Sequence, residues 1–321
     1  MKLLKLTSFL LVILLFSSCE GSGGGLNSPD FNNSNSPSNS DDSETIVRTD
    51  LKEFIFHIGP IDLKPNTDPT EMLDKPLTMK FQVGEPVWVI GFKPAVVDGL
   101  GKKLPGELIH RAIIYNQHES NPLCSEAKKG NPIMIASSAL TEIEFPLGYA
   151  YPLLPSDPLQ VEVVLQNETE GGFLGVTFEL KLITKPMNEF VKMKDLKPVM
   201  VDLDPCEHKP IKIEKDEIVE KAKTFRIENA SRLILANGIL QDYGVTLAIS
   251  KDTDPIPFWR AQAELDENYR IKNLENNPFI DPKGVAMKKG EAITFQCSFN
   301  NASKRWYNAA AAGAIMYLSE N

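Results

Sequence analysis

Short runs of β-branched and aromatic residues, cut at close intervals by Pro, Gly and Asn, restrict this chain more than any other feature of it. They read "PVWVIGFKPAVV" (86–97), "LIHRAIIYN" (108–116), "LQVEVVLQN" (159–167) and "FLGVTFELKLI" (173–183). A Lys- and Pro-bearing connector around 184–200 follows, and then "SRLILA" (231–236), "ANGILQDYGVTLAI" (236–249), "PFWRAQ" (257–262) and "EAITFQCSFN" (291–300). Side chains alternate between the two faces of a strand, so runs of this kind bury one face or both and favour sandwiches or barrels over helical layers. Stripes of helical period are scarce, and 215–225 is the best candidate. The expected fold is all-β, with two antiparallel β-sandwich domains over 51–195 and 196–321.

One run poses a problem. Read as a single strand, 236–249 places Ile239, Gln241, Tyr243, Val245, Leu247 and Ile249 on one face. That face is apolar except at Gln241. Either Gln241 ends the strand and bonds a neighbouring backbone, or its position once held a group with a function.

The first fifty residues speak to location. "MKLLKLTSFLLVILLFSSC" has a basic start at Lys2 and Lys5, an apolar core from Ser8 to Phe16, and the small residues Ser17 and Ser18 before Cys19. The core is shorter than the roughly 20 residues a spanning helix needs, so 1–18 reads as a targeting segment. The small-small-Cys ending resembles a bacterial lipobox, with Phe16 where Leu is usual; a plain secretory signal is the alternative. Cys19 is then the lipidation site, and its acyl chains hold the protein on a membrane. Over half of residues 20–50 are Gly, Ser or Asn, a composition that makes a flexible tether with a reach of roughly 30 Å. Glu20 stands where enteric bacteria place an Asp for inner-membrane retention, which favours the outer membrane of the cell envelope.

A formal charge of −9 without a basic run argues against nucleic acid as a partner. With Cys19 assigned to lipid, three of the four cysteines remain. Cys124 and Cys206 sit in polar, Pro-bearing segments and form the expected disulfide. Cys297 lies between Phe295 and Phe299 and reads as a buried, inert thiol. His57, His110, His118 and His208 are scattered without metal-site spacing, and no GxSxG elbow supports a hydrolase. Asp202 and Asp204 read as a solvated loop.

Taken in chain order, "LPGELIHRAIIYN", "NPLCSEAKKGNPIMIASSALTEIEFPLGYAYPL" and "LQVEVVLQNET" resemble the amino-terminal copper domain of the ascorbate-dependent type II copper monooxygenases, the peptidylglycine and dopamine monooxygenase type, in bacterial form. "VMVDLDPCEHKPIKI", "LILANGILQDYGVTLAI", "WRAQAELDENYRI" and "MKKGEAITFQCSFNNASKRW" are similar to its carboxy-terminal domain. The resemblance covers most of 80–320 and implies two jelly-roll-like sandwiches, each able to hold one copper. It also implies a His-His pair where this chain has His110-Arg111, and a further His where it has Val164. In the second domain, Gly-His-x-His-Asp falls on Gly238-Ile239-Leu240-Gln241-Asp242. A thioether is expected near the carboxy terminus, where Met316 lies several residues late. Only His110 keeps a ligand type, and a single imidazole on an apolar face is more often a hydrogen-bonded core residue. The expectation is a non-catalytic binding or structural lipoprotein without a cofactor, on a degenerate copper-monooxygenase-like scaffold, with an unidentified protein or small-molecule partner. The alternative is a copper oxidoreductase that recruits His57, His118 or His208.

Overall fold

The computed structural model describes residues 51–320 except 141, 189, 253, 255, 304 and 305. The targeting segment, Cys19 and the tether lie outside the described residues. From the first strand onward the described chain clusters as one compact unit.

The first lobe comprises β1 (Lys52–Leu63), β2 (Leu77–Phe81), β3 (Val87–Val97), β4 (Ile109–Asn116), β5 (Asn131–Ala136), β6 (Ile143–Glu144), β7 (Tyr149–Leu153), β8 (Leu159–Leu165), β9 (Phe173–Pro186) and β10 (Lys194–Asp195). One sheet runs β1-β9-β3-β7-β10, with β6 added on β3, and the other runs β2-β8-β4-β5. The second lobe holds β11 (Lys197–Asp202), β12 (Ile211–Ile213), β13 (Glu217–Arg226), β14 (Ser231–Leu240), β15 (Gly244–Lys251), β16 (Trp259–Leu265), β17 (Ile271–Glu275), β18 (Phe279–Met287), β19 (Ala292–Asn301), β20 (Tyr307–Ala310) and β21 (Ala312–Glu320). Its main sheets run β11-β21-β14-β18 and β13-β19-β15-β16-β17, with β12-β20 as a separate ribbon.

Leave out the short β6, β10, β12, β17 and β20, and both lobes have the same topology. Within each, the first, eighth, third and sixth strands form one sheet, and the second, seventh, fourth and fifth form the other. That interleaving of two Greek keys is a jelly roll. The molecule is all-β, two jelly rolls in tandem.

Two elements differ from the sequence reading. Residues 215–225 supply strand β13, paired along its length with β19. Its buried apolar residues, Val219 and Phe225, are an even number apart and so share a strand face. The run 236–249 is two strands in different sheets. β14 ends at Leu240, Tyr243 turns the chain with φ +64°, and β15 begins at Gly244. A Cβ at Gly244 would lie 2.2 Å from Leu240 Cγ, so the corner closes only around a glycine.

Sheet β11-β21-β14-β18 is covered on both faces. Along β21, Ile315 and Tyr317 join the core of the first lobe, while Ala314, Met316 and Leu318 face the second. On β14, Ile239 joins the first core and Leu240 the second. This double burial explains why "LILANGIL" carries no clean alternation. Polar bonds cross the same junction: Tyr317 Oη donates to the Ile133 carbonyl at 3.0 Å, and Asn121 Nδ2 donates to that of Pro205 at 2.8 Å.

A disulfide joins Cys124 of the first lobe to Cys206 of the second, with a Cα–Cα distance of 5.3 Å and a sequence separation of 82. Closing a loop of that length removes conformational freedom from the unfolded chain. Replacing both cysteines with serine is therefore expected to cost about 2–4 kcal/mol, read as a lower denaturant midpoint with a steeper slope, since the unfolded chain loses its cross-link and expands. No loss of stability would show that the lobe junction holds the chain as firmly without the bridge. Cys297 is buried and free, and burial pushes its thiol up to about 12.

Candidate functional site

The positions that the family resemblance assigns to copper ligands fall at the seam between the lobes. His110, fully buried on β4, has Nδ1 at 3.0 Å from Gln166 Oε1 and Nε2 at 3.1 Å from the Ala309 carbonyl. Burial and the neighbouring Arg111 hold its pKa down at about 4, although both acceptors pull the other way. At neutral pH the ring is therefore uncharged. Gln241 answers the question its sequence raises: its Nε2 donates to the backbone carbonyl of His110, across the junction, at 2.5 Å. Arg111 donates from a guanidinium nitrogen to the His208 carbonyl at 3.0 Å. Val164 and Ile239 are buried hydrocarbon, and Met316 packs in the second core.

This donor set does not fit a copper ion. A guanidinium offers no lone pair, the amide nitrogen of Gln241 is occupied as a donor, and the neutral His110 imidazole is a single ligand type packed between Gln166 and the Ala309 carbonyl. Of the remaining histidines, His57 and His118 lie away from the seam and His208 lies within it. His57 pairs with Glu179 at 2.9 Å and His118 with Asp157 at 3.1 Å. His208 pairs with Asp202 at 2.5 Å. Among the described residues no three His, Cys, Asp or Glu side chains are grouped to hold a metal. Asp202 is also a correction to the sequence reading: it is 5 % exposed, because the His208 imidazole and the Arg111 cation draw it into the seam.

The same chain segments continue past the seam into an open cleft of about 560 Å³. Two residues after Gln166 stands Glu168, directly after Gln241 stands Asp242, and two before Ala309 stands Tyr307; all three line the cleft. Glu168 forms an ion pair with Arg270 that links the lobes. Burial nonetheless pushes Glu168 up, outweighing Arg270. Asp242 is 8 % exposed. Burial, and then the nearby Glu168, raise its pKa to about 7. One of its oxygens accepts the Ile271 N–H at 3.1 Å, and the other has no hydrogen-bond partner among the described residues.

Aromatic rings form a second part of the wall, beside polar residues that include Asn66, Asp68 and Asn268. Tyr243 and Tyr269 stack with centroids 5.8 Å apart, and Tyr307 meets Tyr243 at 5.0 Å. Tyr243 and Tyr269 both take positive φ, +64° and +63°, a conformation that side chains other than Gly, Asn and Asp seldom adopt. The surroundings hold them there. Tyr243 N–H donates to the Tyr269 carbonyl at 2.8 Å, and Asp266 Oδ1 accepts the N–H groups of Asn268 and Arg270 at 2.7 and 2.9 Å. Strain imposed this way concentrates at functional sites.

Sequence reasoning missed this cleft. Its one local signal is an aromatic set among turn residues, in "QDYG" and "DENYR". A second groove, about 410 Å³, lies elsewhere between the lobes; of its carboxylates Glu119 accepts from Tyr151 at 2.8 Å and Asn131 at 3.0 Å, Glu320 pairs with Lys197 at 2.7 Å, and Asp195 and Glu228 are exposed.

No family model and no curated protein matches the chain. Among solved structures, a protein described under "The Triple Jelly Roll Fold and Turret Assembly in an Archaeal Virus" is similar over 84% of this chain, with 13% identity and a TM-score of 0.19. This chain spans 59% of that one. So distant a likeness carries no argument, and the jelly-roll assignment rests on strand order.

Proposed function

We propose that the protein is a lipid-anchored protein of a bacterial envelope, with the outer membrane favoured, whose folded body binds a ligand in the cleft between its jelly rolls. In this reading the body is a copper-monooxygenase-like scaffold whose ligand positions now hold the lobes together. One observation carries it. The polar groups at those positions are spent on each other and on backbone, whereas the adjoining residues present an unspent carboxylate to an open, aromatic-lined cleft. Side chains that bond internally support packing, and side chains left unbonded at a cleft wall support recognition.

Copper loading tests the scaffold half. One equivalent of Cu(II) is expected to give only the EPR signal of weakly held surface copper, with no oxygen consumption driven by ascorbate above that of free copper. A stoichiometric signal with nitrogen hyperfine structure, lost in His110→Ala, would overturn the reading in favour of a copper oxidoreductase. The anchor half is tested at Cys19. In a cloud-point extraction the parent is expected in the detergent phase and Cys19→Ser in the aqueous phase. Equal partitioning of the two would point to a different anchor.

A further inference from the structure

We propose that the cleft at the lobe junction binds an organic cation, an ammonium or guanidinium group carried on an apolar stem. The inference rests on the reading of the cleft as a binding site and names the chemical class of its occupant.

Two groups at the cleft are left unpaired among the described residues. Asp242 is more than nine-tenths buried, being 8 % exposed, and one of its carboxylate oxygens borders the cleft without a partner among the described residues. The Tyr307 hydroxyl on the same wall is buried and also unpartnered. Both atoms accept hydrogen bonds, and one belongs to an acid whose ionised form is poorly solvated. A buried charge of this kind is costly until an opposite charge meets it.

The sign of the charges that line the cleft among the described residues agrees. Asp68, Glu168 and Glu267 also line the cleft, and Arg270, a cation on the same wall, is engaged by Glu168. A neutral polyol would satisfy hydrogen bonds here but leave the charge uncompensated. An N–H-bearing cation does both. A metal ion fits poorly, since no three ligating side chains are grouped among the described residues. The space of about 560 Å³ also exceeds many times the roughly 30 Å³ share of one water, and it lies in the range of small-molecule sites. The tyrosine rings favour a stem. Aromatic faces attract ammonium groups and cover methylenes, and here they are fixed by a backbone that the turn bonds hold.

The experiment is calorimetric titration of the full-length protein in detergent with cadaverine and agmatine, against 1,5-pentanediol and cellobiose as neutral probes. The amines are expected to saturate one site, with the diol at least tenfold weaker. Asp242→Asn keeps an acceptor for the Ile271 N–H and is expected to weaken the amines at least tenfold. Tyr307→Phe should weaken them several-fold while its melting curve stays cooperative, so the test stands if the first variant misfolds. Amine binding that neither variant weakens would mean surface attraction only and would overturn the proposal. Cellobiose binding that is lost in Asp242→Asn, without amine binding, would overturn the cation and keep the cleft. No binding of any probe, together with a nitrogen-ligated copper signal, would remove the underlying reading instead.

Discussion

Asp242→Asn is expected to stabilise the protein at pH 8 by on the order of 4 kcal/mol and to leave it unchanged near pH 4. The folded-state pKa of Asp242 is raised to about 7 from an ordinary 3.8. Below 3.8 the carboxyl is neutral whether the chain is folded or not, and its burial costs nothing in charge. As pH rises from 3.8 to 7 the unfolded chain releases this proton first, and the folded state loses stability by about 1.4 kcal/mol per pH unit. Above 7 the full cost is present. Asparagine has nearly the same shape and carries no charge, so it removes the cost and the pH dependence together. Urea melts of both proteins at pH 4, 6 and 8 measure it. A constant difference across that range would show that Asp242 is solvated as an ordinary carboxylate.

His110→Ala is expected to be the most damaging single change at the seam, costing about 3–5 kcal/mol at pH 7.5. It empties a fully buried site and removes the one N–H that the neutral imidazole donates, to Gln166 or to the Ala309 carbonyl according to its tautomer. Its pH dependence runs opposite to that of Asp242. The imidazole pKa is depressed from 6.5 to about 4, so the stability it lends is complete above 6.5 and is lost as pH falls to 4, by on the order of 3 kcal/mol. Over that window Asp242 gains what His110 loses, and the parent profile should be nearly flat there. Each variant should uncover the other group: Asp242→Asn weakens on acidification and His110→Ala strengthens. Parallel profiles for the two variants would show that these groups do not set the pH response.

The strands were legible because β-branched runs between turn residues admit few other structures. Where a strand is buried on both faces the alternation that fixes its direction disappears, and so the break between β14 and β15 at Tyr243 could not be read from "ANGILQDYGVTLAI". Gln241 could be picked out as an anomaly, since an amide on an apolar stripe needs a partner. That partner, the carbonyl of His110, is 131 residues away, and no local pattern encodes it. The cleft is less legible still. Asp68, Glu168, Asp242, Arg270 and Tyr307 are each unremarkable in their own segments, and only the docking of two lobes brings them together. Asp202 was misread for the same reason, its environment being set by Arg111 and His208 rather than by its neighbours in sequence.

The position of β21 bears on how the protein is made. Its residues Ala312–Glu320 lie between β11 and β14 in the middle of a sheet, and its Ile315 and Tyr317 complete the core of the first lobe as well. The strands of the first lobe are all present once residue 195 has emerged, yet the face it buries against the second lobe is fully covered only when Met200 of β11, Ile234, Leu235 and Ile239 of β14, and Ile315 and Tyr317 of β21 are all in place. A chain delivered amino terminus first therefore carries an open, apolar jelly roll through the remainder of its delivery. Removing β21 would therefore leave the cores of both lobes unfinished.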